Sequence, residues 1–237
     1  MKPATVGILG GMGPAAGAEF ARLFVEANNE WLTAHEAPVN DQVFAPHWLA
    51  QLPVPDRSAA LLGGGPSPLP EMARGLRQLA SLGATTVAIA CNTAHAWHAQ
   101  LREQCPGIEL LHIVDETVRM LRALEVSRVG LLATLGTHRL RLYEPALEAA
   151  GIRCFVPGED EQQQVMRGIR EGVKAGRMDM ARDTFTTVGQ ALAKRHGLDT
   201  LVLACTEIPL ALHTLAGVRL VDPAKVLARA LVERAYA

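Results

Sequence analysis

Thr86-Val87-Ala88-Ile89-Ala90-Cys91-Asn92-Thr93 is a short run of small and branched apolar residues that stops on a thiol and two polar side chains. Its apolar part is too short for a free-standing helix and suits a strand buried on both faces. The same pattern returns as Thr200-Leu201-Val202-Leu203-Ala204-Cys205-Thr206-Glu207. A second echo precedes each run: Val6-Gly7-Ile8-Leu9-Gly10-Gly11-Met12-Gly13-Pro14 matches Val129-Gly130-Leu131-Leu132-Ala133-Thr134-Leu135-Gly136-Thr137 position for position. Two distinct motifs recurring in one order point to two related halves.

Working outward, apolar strands are expected at Thr5–Leu9, Thr86–Ala90, Leu110–Ile113, Arg128–Leu132, Ile152–Val156 and Thr200–Leu203. Helical patterns fill Ala15–Trp31, Pro70–Leu82, Thr93–Gln104, Val114–Leu124, Leu140–Ala150, Gln162–Ala175 and Met178–His196. Gly83, Gly151 and Gly197 stand where helix C-terminal caps belong. Continuous apolar strands alternating with helices indicate an α/β fold with parallel sheets covered on both faces. The expected organisation is two similar α/β domains, one from residues 1–112 plus 212–237 and one from 113–211, with the active site in the cleft between them. In such sheets ligands sit beyond the carboxyl ends of the strands, where both Ala-Cys pairs fall. The least regular stretch, Ala34–Leu69, is rich in Pro and Gly and reads as a lid, a binding loop or a plain surface connection.

Composition sets limits on function. Of 237 residues, 49% are hydrophobic and 20% charged, an ordinary globular balance. Lys+Arg 23 against Asp+Glu 24 leaves a formal charge of -1, which gives no reason to expect nucleic acid or an anionic membrane as partner. Met1 to Pro14 runs straight into a strand pattern with no leader features, and no apolar run spans a bilayer, so a cytoplasmic protein is expected.

Four cysteines in such a chain do not make a disulfide framework. Cys105 and Cys154 read as small buried hydrophobes. Cys91 and Cys205 sit past strand ends, where a following helix start, at Asn92-Thr93 and Thr206-Glu207, would favour thiolate. One such thiol is a nucleophile candidate. Two, one from each half, are a facing acid/base pair, as inversion at a carbon requires: one takes a proton, the other returns one on the opposite face. Stabilisation of the carbanion then falls to hydrogen-bond donors and cations of the protein, since no nucleotide or pyridoxal-phosphate signature is present.

Gly7-Ile8-Leu9-Gly10-Gly11-Met12-Gly13-Pro14, Pro55-Asp56-Arg57, Cys91-Asn92-Thr93-Ala94-His95, Ala133-Thr134-Leu135-Gly136-Thr137, Gly172-Val173-Lys174-Ala175-Gly176 and Cys205-Thr206-Glu207 together resemble the aspartate racemase family, within the aspartate/glutamate/hydantoin racemase superfamily. The motifs run through nearly the whole chain in the family's order. The resemblance implies a cofactor-independent racemase of aspartate or glutamate, commonly a homodimer, acting on a dicarboxylate amino acid. It implies Cys91 and Cys205 as the two bases, and Arg57 and Lys174 as cations for the substrate carboxylates. Asn92, Thr93, Thr134, Thr137, Thr206 and Glu207, with the loop at Met12, would line the pocket. One departure bears on specificity: the run before Arg57 is Trp48-Leu49-Ala50-Gln51-Leu52-Pro53-Val54, where the family usually has a polar Asn and Gln. That leaves room for glutamate or a less polar acid.

Other readings compete. Gly11-Met12-Gly13-Pro14-Ala15-Ala16 fits a dinucleotide fingerprint, but Pro14 removes a donor where pyrophosphate would sit. The glycines are better suited to bringing backbone N–H groups to a carboxylate. Cys91, His95 and His98 have spacings that suit one helical face, with Cys205 as the only good further metal ligand. No metal is expected. A non-catalytic carboxylate-binding protein, or a decarboxylase or isomerase on the same scaffold, completes the alternatives.

Overall fold

Strand β1 (Val6–Gly10) is buried along its whole length, and the chain leaves it through Gly11 at φ 88°. A Cβ at Gly11 would meet the Leu52 carbonyl oxygen at 2.0 Å, so only glycine lets the loop pass there. The computed structural model describes residues 3–237. Met1 and Lys2, part of the stretch read as free of a leader, lie outside the described residues.

The elements run as α1 (Pro14–Ala34), β2 (His47–Gln51), α2 (Arg57–Leu61), α3 (Leu69–Ser81), β3 (Thr86–Ile89), a 3-10 turn (Thr93–Trp97), α4 (His98–Gln104), β4 (Glu109–Leu110) and α5 (Ile113–Ala123). Then come β5 (Arg128–Ala133), α6 (Leu135–Arg139), α7 (Glu144–Ala149), β6 (Arg153–Phe155), α8 (Glu159–Arg167) and a π turn (Gly168–Val173). The chain closes with α9 (Met178–His196), β7 (Thr200–Ala204), a 3-10 turn (Ile208–Leu210), β8 (Arg219–Val221) and α10 (Pro223–Ala235).

The strands form two four-stranded sheets, ordered β2-β1-β3-β4 and β6-β5-β7-β8, with every pairing parallel. The fold is therefore α/β with two parallel sheets of the same order. The repeat read in the sequence holds in the register. Gly7 faces Val87 and Leu9 faces Ile89 in the first sheet, as Gly130 faces Leu201 and Leu132 faces Leu203 in the second.

Alternation along the strands divides the core. Val6, Ile8, Ala88 and Ala90 pack in one continuous cluster with Val129, Leu131, Ala133, Val202 and Ala204, joined by side chains of α1 and α10. The other faces carry Leu9, Val87, Ile89 and Cys91 against α3, and Leu132, Leu201, Leu203 and Cys205 against α9. Each large apolar side chain so buried contributes roughly 1.5–3 kcal/mol.

Helix α9 ends as expected at Gly197, in the left-handed region at φ 58°, with Lys194, Arg195 and His196 in its last turn. Several expected boundaries shift. Ala34–Leu69 is not a structureless loop: it contains β2 and α2. The Leu110–Ile113 strand stops at Leu110, because Ile113 already opens α5. The helix expected over Leu140–Ala150 starts only at Glu144, after Arg141 turns left-handed at φ 51°, with a proline at the start of α7. Gln162–Ala175 is α8 followed by the π turn, whose Gly172 lies against Ala181 of α9; a Cβ there would come within 2.7 Å of the Ala181 Cβ. The 212–237 stretch contributes to both sheets' surroundings. β8 pairs with β7 in the second sheet, while α10 returns to pack on α1 and α5. Among the described residues no helix is long and apolar enough to cross a membrane.

Candidate active site

Strand β3 leads directly to Ala90-Cys91 and strand β7 ends on Ala204, directly before Cys205, and both thiols are buried. Parallel strands put both cysteines at the carboxyl edges of their sheets, and one cavity between the halves is lined by both. Of the residues singled out from the sequence, Met12, Arg57, Asn92, Thr93, Thr134, Lys174, Thr206 and Glu207 share that cavity with Cys91 and Cys205. Thr137 does not line it.

The corner at Cys205 is built around Glu207. The Cys205 thiol donates to Glu207 Oε2 at 3.0 Å, and the Gly13 N–H donates to Oε1 at 3.3 Å. Lys174 Nζ, delivered by the end of the π turn, stands 3.5 Å from Oε1. The glycine loop after β1 thus does bring an N–H to a carboxylate, and the carboxylate is the protein's own. Burial first, and Glu207 second, push the Cys205 thiol well above its ordinary range. This corrects the expectation of a helix-activated thiolate. The turn after Cys205 is a 3-10 turn of three residues, too short for an effective dipole, and the nearest charge is negative.

The corner at Cys91 has the opposite sign. Arg57, in the first turn of α2, is buried beside it. Burial works against the guanidinium's charge, but Cys91, Asp56 and Glu207 outweigh it and hold its pKa above the ordinary value. Most of its donors go to backbone carbonyls: Nη2 to Met12 at 2.6 Å, Nη1 to Pro55 at 2.9 Å and to Val54 at 3.2 Å. Nε is buried without a partner. Asp56 accepts from the Ala59 N–H at 2.8 Å and so starts α2, which is how Pro55-Asp56-Arg57 aims Arg57 inward.

Two hydrogen-bonded ties close the halves across the cavity. Thr93 Oγ1 lies 2.9 Å from Thr134 Oγ1 and 3.1 Å from Thr137 Oγ1. Thr134 also caps α6 by accepting from the Thr137 N–H at 3.2 Å. The second tie is the Tyr143 hydroxyl, which donates to Asn92 Oδ1.

Sequence reasoning missed Ser58, Met166 and Ile169 on the cavity wall, and Tyr143 behind it. Ser58 comes directly after the Pro-Asp-Arg motif and was within reach of it; Met166 and Ile169 sit in helical turns with no local signature, and Tyr143 lies just before α7. His95 and His98 are otherwise occupied. His95 accepts from the Ile113 N–H at 3.4 Å and faces the Ile89 carbonyl at 3.4 Å, while His98 Nε2 faces the Leu110 carbonyl at 2.9 Å. Among the described residues no group of three or more His, Cys, Asp or Glu is placed to hold a metal ion.

Two α/β halves in matching register, each sending one strand-end cysteine into a shared cavity, define a pseudosymmetric two-thiol scaffold. Sequence comparison places it: the Asp/Glu/Hydantoin racemase family matches residues 9–231, and the chain belongs to that family. The aspartate racemase of Picrophilus torridus is 29% identical with a TM-score of 0.81, over 98% of this chain and 94% of that one. The broad specificity amino-acid racemase RacX of Bacillus subtilis is 24% identical over 96% of both chains. A glutamate racemase of Parafrankia sp. is 31% identical over 157 residues; the chain spans about half the length of the curated glutamate racemases it matches.

Proposed function

We propose that the protein is a cofactor-independent amino-acid racemase that inverts the α-carbon of aspartate or glutamate between Cys91 and Cys205. One observation carries the reading: two buried thiols from related halves line one cavity with opposite charges beside them. The family and its aspartate and glutamate racemase relatives support the substrate class.

Opposite surroundings divide the roles. Cys91, with a guanidinium beside it to offset negative charge, is the base. Cys205, bonded to a carboxylate, rests as thiol and is the acid. The Cys91 thiolate takes the α-proton, and the C–H electron pair stays on carbon. The carbanion pair then takes the Cys205 S–H proton on the opposite face to form the new C–H bond, and the S–H electron pair stays on sulfur as thiolate. The product departs with the two protonation states exchanged, which is the state that runs the reverse reaction. Lys174, Arg57 Nε and nearby N–H groups offset the negative charge on the substrate and the developing carbanion.

A dicarboxylate needs cations, and Arg57 has most of its fork committed to backbone. Met12, Met166 and Ile169 add apolar wall. These features favour a second reading, that less polar amino acids are accepted as well, as the name of the Bacillus subtilis relative says of that protein. Single enantiomers of aspartate, glutamate and several neutral amino acids, incubated in deuterium oxide, test both. Inversion with α-deuterium gain is expected for a dicarboxylate; exchange in none of them overturns the racemase reading. Sedimentation velocity checks the homodimer that the family resemblance implies.

A further inference from the structure

The Asn92 amide has two ends, and the protein satisfies one of them. Oδ1 accepts from the Tyr143 hydroxyl, whereas Nδ2 is buried with no partner. Asn92 is 1% exposed and lines the cavity. A buried, unpaired N–H costs about 1–3 kcal/mol, so an orphan donor beside a binding cavity needs an acceptor. Tyr143 is itself fully buried, and burial holds its hydroxyl far above the usual tyrosine range, so it remains an O–H donor. A donor facing an amide selects its oxygen. Which way an amide points is set by its hydrogen-bond network, and here the network has one defining member.

We propose that Tyr143 is a positioning residue that holds the Asn92 amide with its N–H2 toward the cavity, where it donates to a carboxylate of the amino-acid substrate. The proposal rests on the racemase reading of the site. Asn92 comes after β3 in the first half and Tyr143 precedes α7 in the second, so the donor is oriented only where the halves meet. Without the phenol oxygen the amide is free to turn its own oxygen toward the substrate carboxylate. Tyr143 thus acts on binding through Asn92 and touches no reacting atom.

The test is Tyr143→Phe, which keeps the ring and removes the hydroxyl, read by calorimetric binding of aspartate and glutamate and by racemisation kinetics. Kd and KM are expected to rise about tenfold, the equivalent of one well-oriented hydrogen bond to a charged group, with kcat within about threefold of wild type. In an Asn92→Ala background the same substitution should add less than about twofold, because the residue it works through is gone. An unchanged KM, a loss confined to kcat, or a full tenfold effect in the Asn92→Ala background overturns the proposal. If Tyr143→Phe fails to fold by circular dichroism, Asn92→Asp against Asn92→Ala decides. Asp keeps the bond to Tyr143 but presents an oxygen to the cavity, so it should bind more weakly than Ala; equal or tighter binding overturns the assignment. Wild-type protein that binds either amino acid without racemising or exchanging it sinks the racemase reading alone, and the binding comparison still tests Tyr143. Binding of neither overturns both.

Discussion

The Cys91 and Cys205 corners each follow a buried parallel strand and an alanine, in matching register, yet their charges are opposed. Beside Cys91 stands Arg57, whose fork is tied to the Met12, Val54 and Pro55 carbonyls. Beside Cys205 stands Glu207, accepting from the thiol itself. The backbone repeats and the side chains do not. A symmetric scaffold brings both thiols to one cavity, and under the proposed mechanism asymmetric neighbours assign one to take the proton and the other to give it. Without that asymmetry, two equal thiols would hold the same number of protons, and the site would need chance to place one base and one acid.

The largest effect should come from removing either thiol. Cys91→Ala and Cys205→Ala are each expected to lower racemisation by about 10³-fold or more, with the double variant little worse than either single one. The comparison is sharpened by α-deuterium exchange at neutral pH. Cys205→Ala retains the proposed base, Cys91, and should exchange one enantiomer without inverting it. Cys91→Ala leaves only the thiol bonded to Glu207, and its exchange should be at least about tenfold slower, as the charge beside it dictates. Equal exchange in the two variants, or the reverse order, breaks the division of roles.

Glu207→Gln attacks the same contrast from its negative side. Glutamine keeps the shape and removes the charge that opposes a thiolate at Cys205. Alkylation by iodoacetamide, followed by mass spectrometry across pH, reads the onset at Cys205 in wild type and in the variant. A group pushed up by burial and a carboxylate ionises at higher pH, so deleting the carboxylate moves the onset of Cys205 alkylation downward. Burial remains, so the shift is partial. Turnover should fall about 10- to 100-fold as the acid and base become less distinct, consistent with loss of one charge-assisted contact. An unmoved Cys205 onset means Glu207 does not set its protonation.

Legibility in the sequence divides along the same line between backbone and neighbours. The repeated strings at Gly7 and Gly130, and at Val87 and Leu201, were legible, because buried parallel strands write themselves as continuous apolar runs; which strands pair came from the fold. β2 was not: His47–Gln51 is an edge strand exposed along most of its length, so no apolar run marks it, and Trp48 and Leu49 read as loop residues. α2 is five residues long, below the length at which a helical period shows. At the site, motif resemblance named the residues but not their partners. Arg57 read as a substrate clamp, whereas its fork is largely spent on carbonyls, which no local string announces. Tyr143 was invisible because its partner is 51 positions away in the chain. Charge asymmetry between the corners is a tertiary fact, and it became visible only once α2 and the glycine loop were folded over the strand ends.

The smallest expected effect separates framing from contact. Thr137 is fully buried and bonds to Thr93 across the halves and to Thr134 in its own half, but it does not line the cavity, whereas Thr93 and Thr134 do. Thr137→Val removes the hydroxyl at nearly constant volume. Its neighbours keep the bond between Thr93 and Thr134 at 2.9 Å, so the loss is two of the three hydroxyl contacts in a shared network. Stability should fall by about 1 kcal/mol, read as a lower urea midpoint with an unchanged slope. KM should stay within about twofold of wild type if the residue frames the site without touching substrate. A large rise in KM with unchanged stability would place Thr137 among the substrate contacts that the family resemblance implied, and would mean that the cavity opens to it when the two halves move.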